Sequence, residues 1–314
     1  MFLGFSFGVL ACAIWGLIYI VPLLLPGYDP VQMASARFAV YGLACVLMIP
    51  WQINGLRQLT RSDWLQAWRL AFFGNFIYYW SLTTSVTLSG AALAGMCMAW
   101  IPVLVAVIAN WRARRLGQGV SWRALIVPLS FIMLGMITAN WTEFTYITER
   151  SGSETEFFMG LACGVFSLLL WTWYPLRNAD WLIANPRKSP KVWATVQGIC
   201  LLPFGLVTYA VYSYTHMSES VGFFGPDPMA LLWVSLMAGV LCSWIAISFW
   251  NAMSQRLPPA LSGQMIVFET IFSVLYAHLW RLQWPTWTMT LGMIMMIVGV
   301  LAALRTFRGS AKAN

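Results

Sequence analysis

Charge is scarce in this chain. Of its 314 residues only 9% are Asp, Glu, Lys or Arg, while 60% are hydrophobic and the mean hydropathy is +0.72. That balance excludes a water-soluble globular protein and places the chain in a bilayer. Histidine is scarcer still: His216 and His278 are the only two. The six cysteines (Cys12, Cys45, Cys97, Cys163, Cys200 and Cys242) show neither a CxxC pair nor metal-ligand spacing, and they read as small apolar packing residues. No metal or other cofactor is therefore expected. HExxH, GxSxG, paired intramembrane aspartates and a phosphate-binding glycine loop are missing, which argues against an enzyme and against an ATP-driven pump. The opening Met1-Phe2-Leu3-Gly4 lacks a basic region and a cleavage site, so the first apolar segment is expected to stay as a helix.

Long apolar runs are what the chain has instead. Spans of about 17 to 25 residues cross a bilayer. Ten are expected: Phe2 to Leu25, Val31 to Trp51, Trp64 to Thr83, Leu88 to Trp111, Trp122 to Trp141, Glu156 to Leu182, Lys191 to Tyr212, Pro228 to Ser254, Pro258 to Arg281 and Trp284 to Phe307. Fifteen of the 18 basic residues fall on one side of this plan, Arg150 and Arg281 fall on the other, and Arg37 lies within a span. The asymmetry predicts that this side, with both termini, is cytoplasmic. Seven of the ten acids (Asp29, Glu143, Glu149, Glu154, Glu156, Glu219 and Asp227) sit opposite. The basic residues thus act as topology determinants in contact with headgroups, and the net charge of +8 does not signal nucleic acid. Most of the 19 tryptophans bracket span ends as an aromatic belt. Trp15, Trp100, Trp171 and Trp244 fall near mid-span, where no headgroup can anchor them.

The chain also echoes itself. Ala91-Ala92-Leu93-Ala94-Gly95 recurs 168 residues later as Pro259-Ala260-Leu261-Ser262-Gly263. Gly8-Val9 and Trp15 match Gly164-Val165 and Trp171 at an offset of 156, and Gly135 matches Gly299 at 164. The longer loop from Ser213 to Asp227 accounts for the growth of the offset. Two copies are expected, residues 1–150 and 151–314, each of five spans. An odd number of spans inverts the second copy relative to the first.

These residues resemble the drug/metabolite transporter superfamily, in its ten-span form with two EamA-type repeats. The resemblance rests on Trp15-Gly16, on Arg37 after Asp29-Pro30, on Ser89-Gly90-Ala91-Ala92-Leu93 with Pro102 beyond it, and on Pro258-Pro259-Ala260-Leu261 leading to Glu269. It departs from the family where Thr270 replaces a proline and where Asn110-Trp111-Arg112 and Leu279-Trp280-Arg281 end the fourth spans. The resemblance implies an all-α transmembrane protein of two inverted five-helix repeats around a central cavity. It further implies a secondary carrier, most like exporters of aromatic amino acids.

Several residues are expected to carry transport. Glu269 is the one carboxylate placed deep in the bilayer, where a charge costs about 2.5 to 3.5 kcal/mol. It binds a proton, a substrate ammonium or both in turn; alternatively it is a neutral acid bonded near Gln264 or Ser273. Arg37 either pairs with an acid such as Asp29 or captures a substrate carboxylate. Pro102 cannot donate to the Met98 carbonyl, so a kink is expected there, serving as a hinge or only for packing. Asn75 with Tyr78 and Tyr79, Ser167 with Trp171 and Tyr174, and Trp244 with Ser248 and Asn251 share helical faces. With Trp100 and Gln264 they form a candidate substrate site for a flat group with a polar end, or else they are helix-packing groups. A capping box is expected at Ser153 to Glu156. The expected partners are the bilayer and a small-molecule substrate, and a single chain is compatible with this plan. The readings carried forward are export of aromatic amino acids, broader export of neutral amino acids or amphipathic drugs, and, from another class, a lipid scramblase or intramembrane enzyme.

Overall fold

In a computed structural model, which describes residues 2–141, 153–217 and 222–313, the chain is a bundle of membrane-length helices, and no strand occurs among the described residues. Glu143, Glu149, Arg150 and Glu219 lie outside the described residues, as do the side chains of Ala91, Ala92, Arg308 and Lys312. Hydrocarbon offers backbone groups no hydrogen-bond partner, and a helix satisfies them within one segment. In chain order the helices are α1 (Phe2–Leu24), α2 (Pro30–Leu47), α3 (residues 61–89), α4 (Leu93–Arg115), α5 (Trp122–Ala139), α6 (Glu154–Ala184), α7 (Pro190–Thr215), α8 (Pro228–Ser254), α9 (Pro259–Trp280) and α10 (Trp287–Phe307). Among the described residues, nine of these are long and apolar enough to span a membrane by themselves. The tenth, α3, is more polar because Thr83, Thr84, Ser85, Thr87 and Ser89 crowd its final turns.

Local chemistry fixes the helix ends. Asp29 caps α2 by accepting from the Val31 N–H at 2.7 Å, and Pro30 fits the first turn because no N–H is needed there. Ser153 and Glu156 form the expected capping box at α6, with bonds of 3.2 and 3.0 Å. Thr60 and Asp63 form another at α3. Two expected boundaries move. Helix α2 stops at Leu47 instead of reaching Trp51, because Pro50 starts a separate short helix, Ile49–Leu56. Residues 84–87, expected as a connection, are helical; the chain reverses at Gly90, whose φ of +83° suits a residue without a β-carbon.

The packing is that of two inverted repeats. Helix α2 packs on α7, α5 on α10, and the second half of α4 on the first half of α9, so each meets its own counterpart. Helix α1 packs on α8 and α9, and α6 repeats this against α3 and α4. Close approach depends on small residues: a β-carbon at Gly135 would stand 2.7 Å from the Gly292 carbonyl oxygen, and one at Gly299 would stand 2.8 Å from that of Pro128.

The helices are interrupted where they face the middle of the bundle. A 3-10 turn occupies Leu17–Ile20 in α1, and wider π-turns occupy Phe72–Ile77 in α3 and Met237–Ile245 in α8. The two π segments are equivalents under the 168-residue offset. In each, a polar side chain donates to the carbonyl five residues earlier: Asn75 Nδ2 to Leu70 at 3.3 Å and Ser243 Oγ to Ala238 at 2.9 Å. Helix α4 breaks at Trp100 and α9 at Met265 and Ile266. Paired interruptions of this kind are where carriers build their sites.

Candidate functional site

Close packing of α1 on α9 sets the centre of the site. A β-carbon at Gly16 would stand 2.7 Å from Phe272 Cβ, and this proximity lets Tyr19 OH donate to Glu269 Oε1 at 3.4 Å. Glu269 lies in the first turn after the α9 break, where the positive end of a helix favours a carboxylate. On the other side, Pro102 lies in the first turn after the α4 break, where no N–H is needed and a proline suits a new helix start.

Between the two breaks lies a cavity of about 440 Å³, a volume suited to a small organic molecule. Ile101, Pro102, Glu269 and Thr270 all line it. Ile101 is the counterpart of Glu269, and Pro102 of Thr270, so the pseudo-twofold axis relating the repeats passes through the cavity. From mid-bundle the cavity runs toward Val86 and Asn140, away from the end that carries the arginines.

Of the expected site residues, Tyr78, Pro102, Trp171 and Glu269 line this cavity and the others do not. Trp171 stacks on Tyr78 at 4.6 Å and on Tyr174 at 5.1 Å, so part of the ring surface expected to stack a flat substrate is taken up within the fold. Tyr174 is the buried backing of this stack, held by a 3.0 Å bond to Gln197 Oε1. Trp100 sits at the α4 break, 49% exposed, turned away from the cavity that Met98 and Ile101 line. Tyr79 donates to the Pro30 carbonyl at 2.8 Å and lines a separate apolar groove beside α2 and α7. Asn75 is occupied by its own π-turn. Trp244 donates to Thr195 Oγ1 at 2.9 Å, and with Ser248 it borders a third cavity at the basic end. Gln264 is wholly buried at the α9 break, and neither atom of its amide has a partner among the described residues. The partners expected for Glu269 are corrected likewise: Ser273 bonds to the Thr270 carbonyl, and Tyr19 takes its place.

Arg37 does not meet Asp29, which is spent as a helix cap. It donates from Nε to Ser243 Oγ at 2.9 Å, inside the π-turn of α8. Sequence reasoning missed Tyr19, because nothing in the spacing of α1 shows that a 3-10 turn will redirect it. It also missed the buried amide cluster toward the basic end. There Asn178 donates to Asn251 Oδ1 at 2.8 Å and accepts from Trp193 Nε1 at 2.8 Å and Gln197 Nε2 at 3.2 Å, tying α6, α7 and α8 together. Ahead of the membrane-spanning part of α3, Asp63 accepts from Lys188 Nζ at 2.7 Å and Trp181 Nε1 at 2.7 Å. Burial works against its charge. The bonds from Lys188, the Thr60 backbone, Trp181 and the Thr60 hydroxyl outweigh that cost and hold its carboxyl down at about 2.

Known proteins are similar to this chain in sequence and in fold. The EamA-like transporter family matches residues 2–141. The inner membrane protein YtfF of Escherichia coli (strain K12) is 35% identical over 309 residues, covering 97% of this chain and 96% of that protein. A crystal structure of a protein 16% identical has the same fold, with a TM-score of 0.73 over 97% of each chain. With relatedness running along nearly the whole chain, and with broken helices from both repeats around one cavity, this protein belongs to the EamA-like transporter family of membrane transporters.

Proposed function

We propose that this transporter exports aromatic amino acids or related small metabolites by alternating access, with the cavity between the α4 and α9 breaks as its substrate site. The observation that carries the reading is the meeting in one cavity of Glu269, the edge of Trp171, Tyr78 and the methionines Met98 and Met136. Glu269 receives the substrate ammonium or a proton, and the apolar wall receives the side chain. The cavity lies on one side of the mid-bundle. Access from the other side requires α4 and α9 to flex at Trp100 and Met265, with Pro102 as part of the hinge and Gln264 finding partners as the break rearranges. The basic end faces the cytoplasm, as the lysine and arginine bias supports. The name of the YtfF relative supports an inner membrane. On this reading the structure is open toward the outside.

A second reading, broader export of neutral amino acids or amphipathic drugs, is favoured by the methionines and by Trp171 already stacking on Tyr78 and Tyr174. Flexible thioethers adapt to varied shapes. Uptake of labelled phenylalanine and tryptophan into liposomes containing the purified protein tests both. Aromatic amino acids competing above all others supports the first, competition across a wide panel supports the second, and no uptake of any amino acid overturns the first.

A further inference from the structure

The cavity at the basic end has an amphipathic shape of its own. Its volume is about 460 Å³, and α1, α7 and α8 wall it. At one end are Lys191, in the first turn of α7, and Arg256, just beyond α8; Phe7 and Phe249 follow, and Trp244 and Ile245 lie at the other end. Nine residues of α8, Ala246–Ser254, follow Ile245, so at about 1.5 Å per residue the apolar end lies about 14 Å along the helix from the turn that carries Arg256. Phe7 and Phe249 stack at 5.8 Å, and the Arg256 guanidinium lies 5.3 Å from the Phe7 ring, turning the wall from aromatic to cationic in one step.

The two cations are also unneutralised. Elsewhere at this end Arg112 and Arg177 meet Asp180 at 2.8 and 3.5 Å, and Lys188 meets Asp63 at 2.7 Å. Neither Lys191 nor Arg256 has an acidic partner among the described residues. Asn251 and Ser248 make their own bonds to the Pro190 and Trp244 carbonyls, so the polar groups nearby do not compete for an anion.

We propose that this cavity is a binding site for an anionic phospholipid, with the headgroup phosphate between Lys191 and Arg256 and an acyl chain along Phe7, Ile245 and Phe249. The site is distinct from the central cavity, sharing none of its lining residues. A phosphate at headgroup level meets two cations with no acidic partner among the described residues, Arg256 donating only to the Ala252 carbonyl at 2.6 Å, and a hydrocarbon tail meets a wall that runs parallel to it. Zwitterionic lipids offer the same tail with no net charge, so the site discriminates by headgroup.

The test is native mass spectrometry and thermal unfolding of the full-length protein in micelles doped with palmitoyl-oleoyl phosphatidylglycerol or phosphatidylcholine. The wild type is expected to retain phosphatidylglycerol preferentially and to melt higher in its presence. Lys191→Gln combined with Arg256→Gln is expected to weaken phosphatidylglycerol binding by about 30-fold, two cations at about fivefold each, leaving phosphatidylcholine unaffected. Ala252→Leu, which narrows the slot without touching charge, is expected to lower retention too, and Arg305→Gln, at the same end but outside the cavity, to leave it unchanged. Equal retention of both lipids by the wild type overturns the proposal, as does undiminished phosphatidylglycerol binding by a folded double variant. Inorganic phosphate raising the melting temperature as much as the lipid overturns the lipid as occupant.

Discussion

The bundle holds polar groups in two ways, and the contrast separates what keeps it together from what it works with. Around Asn178 every amide is bonded: Asn251, Trp193 and Gln197 converge on it, and Tyr174 closes the chain. At the α9 break and the cavity beside it two polar groups are under-committed. Glu269 has one bond of 3.4 Å from a side chain, and Gln264 has none among the described residues. A buried polar group left unpaired costs roughly 1 to 3 kcal/mol, so one region spends its polarity on structure and the other keeps it free for a ligand or a second conformation.

Breaking the satisfied region should cost the fold. Asn178→Leu strands Trp193, Gln197 and Asn251 at once, and a loss of about 3 kcal/mol or more is expected, read as a large drop in melting temperature in detergent. Melting that matches the wild type would show that the network does not hold the helices. Next comes Asp63. Its folded value of about 2 lies below the ordinary 3.8, so its contribution is present above pH 4 and disappears as pH falls toward 2. The size is about 2 kcal/mol at neutral pH, and Asp63→Asn should remove it together with this part of the pH dependence. A variant with the wild-type acid profile would place the ionisation elsewhere.

The cavity should show the opposite pattern. Glu269→Gln is expected to leave melting nearly unchanged while lowering transport about tenfold, the value of one charge-assisted bond to substrate, and to flatten the pH dependence of the rate. Unchanged rate and pH profile would remove Glu269 from the working site. Tyr19→Phe should have the smallest effect, about twofold in rate, since its bond to Glu269 is long. A loss as large as that of Glu269→Gln would make Tyr19 a full member of the site.

How much of this was legible follows from which signals are local. The capping box at Ser153 and the Pro258-Pro259 entry to α9 act within a few residues, and the chain shows them directly. The echo located the two copies and put Ile101 opposite Glu269. The faces around Trp171 and Trp244 were legible as faces, but not what covers them: Tyr78 and Tyr174 stack on Trp171, and α7 claims Trp244. Trp100 looked central because it is mid-span, yet position along a helix does not set direction around it.

Composition and periodicity by themselves determined a bilayer protein of membrane-length helices, repeated with inversion, with one deep carboxylate. Those properties follow from the chain's own hydropathy and from the odd number of spans in each copy. Tertiary structure alone decided which polar groups meet. The 3-10 turn that delivers Tyr19 to Glu269, the π-turn that gives Ser243 to Arg37 and the breaks that open a cavity on the pseudo-twofold axis are small departures from the regular helix. They arise where neighbouring helices press on one another, and no single segment carries the record of its neighbours.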